Sequence, residues 1–191
     1  MSYKVFELLR KYKYLGERIL EDGTLLIGKA PHIAPLAWLH SIYPALKSNE
    51  IEFLETKLGT SISLDYKRFL TSSNGLGVFN TTFSLYGLRR NYNRTIDDVW
   101  QPFNIITPNT LEKPDNAKRT DFIIGGYDWD GSRLYIDTET NVVHLCDRED
   151  ITTLYRWESF DKMLESEIHR LVKLFDSEGK EIDETKSTLP I

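Results

Sequence analysis

The segment Phe122–Cys146 constrains this chain more than any other. Three short apolar runs, Phe122–Tyr127, Arg133–Ile136 and Val142–Leu145, are separated by the turn-forming clusters Asp128–Ser132 and Asp137–Asn141. Runs rich in β-branched and aromatic residues, set between such punctuation, predict a three-strand meander. Side chains alternate along a strand, so Leu134 and Ile136 are expected on one face and Arg133, Tyr135 and Asp137 on the other. An apolar sheet face must be covered by another layer. The flanking sequence supplies it.

Ser2 is placed to cap a first helix carrying Val5, Leu8, Leu9 and Tyr12 and ending before Gly16. Arg18–Leu20 and Leu25–Ile27 flank Asp22-Gly23, a hairpin signal. The prolines at 31, 35 and 44 confine any helix between them to Pro35–Ile42, with Leu36, Trp38, Leu39 and Ile42 as its packing face. Asn49 is expected to cap a helix bearing Ile51, Leu54 and Leu58, which Gly59 stops. Ser63 is expected to cap a second, Leu64–Ser72, turning Tyr66, Phe69 and Leu70 inward and closing at Asn74-Gly75. Phe79–Tyr86 alternates as one strand. Arg89–Lys118 is polar and aperiodic, a long surface excursion with one apolar piece at Phe103–Ile106. Ser159 opens a last helix with a stripe of Phe160, Met163, Leu164, Ile168, Leu171, Val172 and Phe175.

The expected fold is therefore α+β: a single domain, mainly an antiparallel sheet with a central meander, packed by helices before and after it. Its expected core is Leu54, Phe69, Leu70, Ile123, Leu134, Ile136, Leu164, Leu171 and Val172, with Trp129 and Leu134 holding helices to the sheet. Residues 1–47 are expected as an extension packed on the core, 48–175 as the main domain and 176–191 as an irregular tail.

Charge and cysteine usage narrow the function. Twenty-four Lys and Arg against 29 Asp and Glu give a formal charge of −5, which disfavours direct nucleic-acid binding; it is compatible with a basic partner, but ordinary solubility chemistry is the favoured reading. One cysteine, Cys146, allows no internal disulfide and fits a reducing compartment. The N-terminus is charged and no run approaches the roughly 20 apolar residues needed to span a bilayer, so a cytoplasmic protein is expected, with no membrane partner. Without an export signal, the glycosylation patterns at Asn80-Thr81-Thr82 and Asn93-Arg94-Thr95 carry little weight.

No motif assembles a catalytic constellation. Asp128-Trp129-Asp130-Gly131-Ser132 resembles the start of a calcium loop, but Gly131 is fourth rather than sixth, and the flanks are strands. A β-turn with Asp side chains on backbone amides is the favoured reading. His144 and Cys146 lie two apart on a strand and share a face, but about 7 Å separates such positions, too far for a base to reach a thiol. A buried, inert cysteine is favoured. His32, His40 and His169 show no metal-ligand pairing. Arg89-Arg90-Asn91-Tyr92-Asn93-Arg94 interleaves cations with an aromatic, as an RNA-contacting loop does, but a solvated loop suits an acidic chain better. Gly125-Gly126 and Gly75-x-Gly77 lack the context of a phosphate loop. The expectation is no enzyme, no cofactor and no metal.

Two blocks of motifs resemble a known family. The first is Ile51-Glu52-x-Leu54-Glu55-x-x-Leu58-Gly59, then Ile62-Ser63-Leu64-Asp65-Tyr66-Lys67-x-Phe69-Leu70, then Ser73-Asn74-Gly75. The second is Phe122-Ile123-Ile124-Gly125, Trp129-Asp130-Gly131 and Leu134-x-Ile136-Asp137, followed by Asn141-x-Val143 and Ser159-Phe160-x-x-x-Leu164. Their order and spacing over Ser48–Phe175 resemble the SUKH superfamily, which includes the yeast Smi/Knr cell-wall-synthesis regulators and many bacterial immunity proteins. Ser63 stands where that family usually has proline, and a serine cap starts a helix equally well. The resemblance implies a non-enzymatic α+β protein-binding module. Its bacterial members neutralise a toxin, often a nuclease, by direct contact. A toxin domain is the expected partner, with Asp128, Asp130, Asp137 and Glu139 as contact residues. An intracellular scaffold or regulator of the Smi/Knr type is the alternative, which a neighbouring toxin gene or its absence would discriminate.

Overall fold

The chain lays its strands side by side in the order in which it makes them. In the computed structural model, which describes residues 4–93, 95 and 98–191, these are β1 (Glu17–Ile19), β2 (Leu25–Lys29), β3 (Trp38–Ile42), β4 (Leu76–Val78), β5 (Phe83–Leu85), β6 (Asp121–Tyr127), β7 (Arg133–Asp137), β8 (Val143–Cys146) and β9 (Thr153–Trp157). They form one nine-stranded sheet in which every neighbour is antiparallel. The expected meander is β6–β8, and the Asp22-Gly23 hairpin joins β1 to β2. Helices α1 (Val5–Leu9), α2 (Ser48–Leu58), α3 (Leu64–Leu70), α4 (Ile106–Thr110) and α5 (Phe160–Leu171) complete a single α+β domain. Among the described residues no helix is long and apolar enough to cross a membrane.

Strand register explains the core. Leu76 pairs with Leu85, Leu85 with Gly125, Gly125 with Leu134 and Leu134 with Leu145, so the sheet carries a row of leucines across its helix-covered face. All four leucines are buried, as are Tyr66 and Phe69 of α3 and Phe160 of α5. The three rings meet at centroid distances of 5.3–5.5 Å, each pair contributing on the order of 1 kcal/mol beyond its buried area. The helices start as local chemistry dictates: Ser63 accepts the Tyr66 N–H and Ser159 the Lys162 N–H, donors with no partner inside their helices. Helix α2 ends at Gly59 in the left-handed conformation.

The reverse face of the meander is covered too. Ile123, Tyr135, Cys146 and Ile151 form a second, smaller cluster against which Tyr86 and Ala117 pack. Part of the long excursion thus folds back over the sheet. Its Asn109 amide makes both hydrogen bonds of a strand neighbour to Ile123, at 2.7 Å each, beside the irregularity in β6.

The C-terminal residues form no helix or strand beyond an isolated bridge, yet they are fixed. Arg170 donates to Glu167 at 2.6 Å and to the Thr188 carbonyl at 2.7 Å, while the Tyr127 hydroxyl donates to the same carboxylate at 2.6 Å. Phe175 stacks on Phe79 with centroids 3.8 Å apart. Gly179, at φ +75°, sits where any Cβ would collide with Leu39.

Several expectations are corrected. Pro35–Ile42 is not a helix: Trp38–Ile42 is β3, hydrogen-bonded to β2 and β4, and Leu36 is exposed. Helix propensity there is overridden because an unpaired strand on each side demands a neighbour. Phe79–Tyr86 is not one strand but the far side of a hairpin, whose turn is Phe79–Thr82. Trp129 is half exposed and lies outside the core. Ile123 belongs to the reverse-face cluster, and Val172 is only partly buried. Lys47, rather than Asn49, stands at the cap of α2. Ser2 lies outside the described residues.

Candidate functional site

The four carboxylates singled out from the sequence sit in two turns. Asp128 and Asp130 lie between β6 and β7, Asp137 and Glu139 between β7 and β8. Successive hairpin turns fall at opposite ends of the strand they share. The five residues of β7 therefore hold the pairs about 13 Å apart or more, and the fold does not gather them into one patch.

Two of the turn aspartates serve their own backbone. Asp130 accepts from the Ser132 N–H at 2.8 Å and from its hydroxyl at 2.5 Å. Asp137 accepts from the Glu139 N–H and the Thr140 hydroxyl, each at 3.0 Å. Asp128 differs. Its own N–H donates to the Thr82 carbonyl at 3.3 Å, and its side chain lines a cleft of about 460 Å³. Glu181 and Glu184 of the C-terminal segment line the same cleft, together with His32, Asn80 and Thr82. Partial burial against the walls holds the Asp128 carboxyl above its usual range although the residue is exposed overall. Burial first, then the charges of Glu184 and Asp128, push Glu181 up as well. Lys180 also lines the cleft and is paired with Glu178 at 2.6 Å.

One wall of the cleft is unusual. Phe79, Asn80 and Thr81 all take positive φ, at 47°, 51° and 76°, without a glycine among them. Side-chain-bearing residues adopt this region reluctantly, and a β-branched one most of all. The turn is held from below: Asn80 N–H donates to the Leu39 carbonyl at 2.8 Å and Phe79 N–H to His40 Nδ1 at 3.3 Å. His40 is fully buried, and burial lowers its pKa to about 3, so the ring is neutral. Sequence reasoning missed this turn, since Asn80 alone in it has a short side chain suited to the left-handed region.

The remaining motifs resolve into structure. His144 stacks on Tyr135 at 4.6 Å and its Nδ1 lies 2.9 Å from the Thr153 hydroxyl. Cys146 is buried, donates at 3.5 Å to the Arg133 carbonyl, and has its thiol pushed up by burial to about 12. A thiol so protonated is no nucleophile at neutral pH. Arg89 lies over the Tyr92 ring at 5.1 Å, and Arg90 pairs with Glu50 at 2.9 Å. Arg94 lies outside the described residues. His169 Nδ1 lies 2.7 Å from the Glu165 carbonyl. Among the described residues no three His, Cys, Asp or Glu side chains stand close enough to hold a metal ion.

A model of the SMI1 / KNR4 family (SUKH-1) matches residues 45–166, well over half of the chain. No curated protein matches it. The matched stretch runs from α2 into α5 and includes Asp128, Asn80 and Thr82. His32, Glu181 and Glu184 come from the residues on either side of it, so the cleft forms where the two flanking segments meet the family's part of the sheet.

Proposed function

The chain belongs to the SMI1 / KNR4 family (SUKH-1), and from that premise we propose that it is an immunity protein that neutralises a toxin domain by direct contact. Family membership supports a protein-binding immunity or regulatory module. The finer reading, a basic toxin such as a nuclease, draws its support from the cleft, where Asp128, Glu181 and Glu184 stand together and the one lysine among the lining residues is already paired with Glu178. Carboxylates crowded in this way repel one another, and an incoming Lys or Arg relieves that repulsion. Asp130, Asp137 and Glu139, in the turns of the meander, extend the negative field and act on the rate of encounter. The buried thiol and the engaged histidine favour binding over catalysis.

The test is association of the purified chain with the toxin domain encoded beside its gene. Asp128→Lys is expected to slow association roughly tenfold at low salt and to flatten its salt dependence, with a smaller change in dissociation. Unchanged kinetics would move the contact elsewhere. No binding to that neighbour at all would remove the immunity reading.

A further inference from the structure

We infer that His40 is a positioning residue for the cleft: its ring accepts the Phe79 amide and fixes the left-handed turn from which Asp128 takes its place. The inference rests on the reading of the cleft as the contact surface, but its structural content stands without a partner.

The chain of contacts is continuous. His40 lies on β3, paired across the sheet with Ile27 and Val78, and is fully buried. Its Nδ1 accepts from Phe79 N–H at 3.3 Å. The Phe79 carbonyl then accepts from both the Thr82 N–H, at 3.2 Å, and the Thr82 hydroxyl, at 2.9 Å. The Thr82 carbonyl accepts the Asp128 N–H at 3.3 Å. Between these points lie the three residues of positive φ, of which Phe79 and Thr81 avoid that conformation on their own. The turn therefore has to be imposed from outside itself, and β3 does so through one backbone carbonyl and one side chain.

The other ring nitrogen separates hydrogen bonding from packing. With Nδ1 accepting, the proton sits on Nε2, and Nε2 is buried with no hydrogen-bond partner. A buried donor left unpaired is costly, and a phenylalanine would fill a site between the rings of Tyr12 and Phe79 without that cost. What phenylalanine cannot supply is an acceptor for Phe79. Packing alone does not call for histidine here; the acceptor does.

The experiment is nuclear magnetic resonance on the intact chain. His40 is expected as the Nε2–H tautomer from pH 5 to 8, and a proton on Nδ1 would overturn the inference outright. Two variants add a second readout. His40→Asn places an amide oxygen near the position of Nδ1, whereas His40→Leu fills space without an acceptor. The asparagine variant should keep the amide shifts of Asn80, Thr81 and Asp128 close to those of the unmodified chain; the leucine variant should displace all three while α5 stays unchanged. Equal behaviour of the two, moved or unmoved, would show that the ring acts by packing and would sink the proposal. If neither variant folds, the tautomer of the unmodified chain decides between the two roles. Because no partner is needed, failure of the immunity reading would leave these results untouched.

Discussion

The turns at the two ends of β7 have the same kind of sequence and different situations. Asp137–Asn141 satisfies itself: partial burial pushes the Asp137 carboxyl up, but hydrogen bonds from Glu139 and Thr140 outweigh this and hold it below its usual range. Asn141 takes φ 59°, a conformation asparagine tolerates. Asp128–Ser132 closes equally well through Asp130, yet Asp128 shares one cleft with Glu181 and Glu184, and partial burial holds it above its usual range. What separates the turns is the company each keeps. The C-terminal segment passes one and not the other, so identical residue types become a self-contained loop at one end and part of a carboxylate-rich cleft at the other.

The contrast is broken most severely by releasing that segment. Arg170→Ala leaves Glu167, only 2 % exposed, without its cation and frees Thr188. Removing one partner of a buried ion pair costs about 3 kcal/mol or more, which at this size lowers Tm by roughly 6–12 °C. Calorimetry should show it, and the Asp128 resonance should move toward that of an ordinary exposed aspartate. An unchanged Tm would mean that the segment is not held by this pair.

Asp137→Ala sharpens the comparison from the other side. It removes two hydrogen bonds of a local turn and should cost about 1 kcal/mol at pH 7, read from denaturant unfolding. A carboxyl whose pKa is depressed by folding stabilises above its unfolded value and loses that contribution as pH falls through the folded one. The penalty should therefore shrink on acidification below about pH 4.

Asp128→Asn has the smallest expected effect and the opposite sign. A carboxyl whose pKa is raised by folding contributes below its unfolded value and loses that contribution as pH rises. At neutral pH the ionised Asp128 is a slight cost, and the amide should gain at most about 0.5 kcal/mol once screening at an exposed position is allowed for. The gain should vanish near pH 4. A loss of stability at pH 7 would show that Asp128 has a cation partner after all.

Much of the fold was legible because its signals are local. Ser63, Ser159 and Gly59 act within one turn of the residues they cap or stop, and Leu134 and Ile136 choose their face by alternation alone. The readings that failed needed a neighbour. Trp38–Ile42 becomes a strand only because β2 and β4 flank it, and Phe79–Thr82 becomes a turn only because β3 lies beneath it. The cleft was legible in one residue, Asp128; Glu181 and Glu184 were read as an irregular tail because nothing in a charged, aperiodic stretch announces where it will be pinned. Arg170 is the pin, and in sequence it is one more cation in the last turn of a helix.

The sequence by itself determined the α+β class, the meander, the capped helices and the motif order that marks the family, since each depends on residues close together in the chain or on a repeating period. Tertiary structure alone decided which acidic turn shares a cleft with the C-terminal segment, by bringing that segment against one end of β7, and it alone held Phe79 and Thr81 in a conformation they avoid. Both effects depend on contacts between residues far apart in the chain, such as His40 with Phe79, 39 positions away, and Tyr127 with Glu167, 40 positions away. No local rule of spacing records contacts of that range.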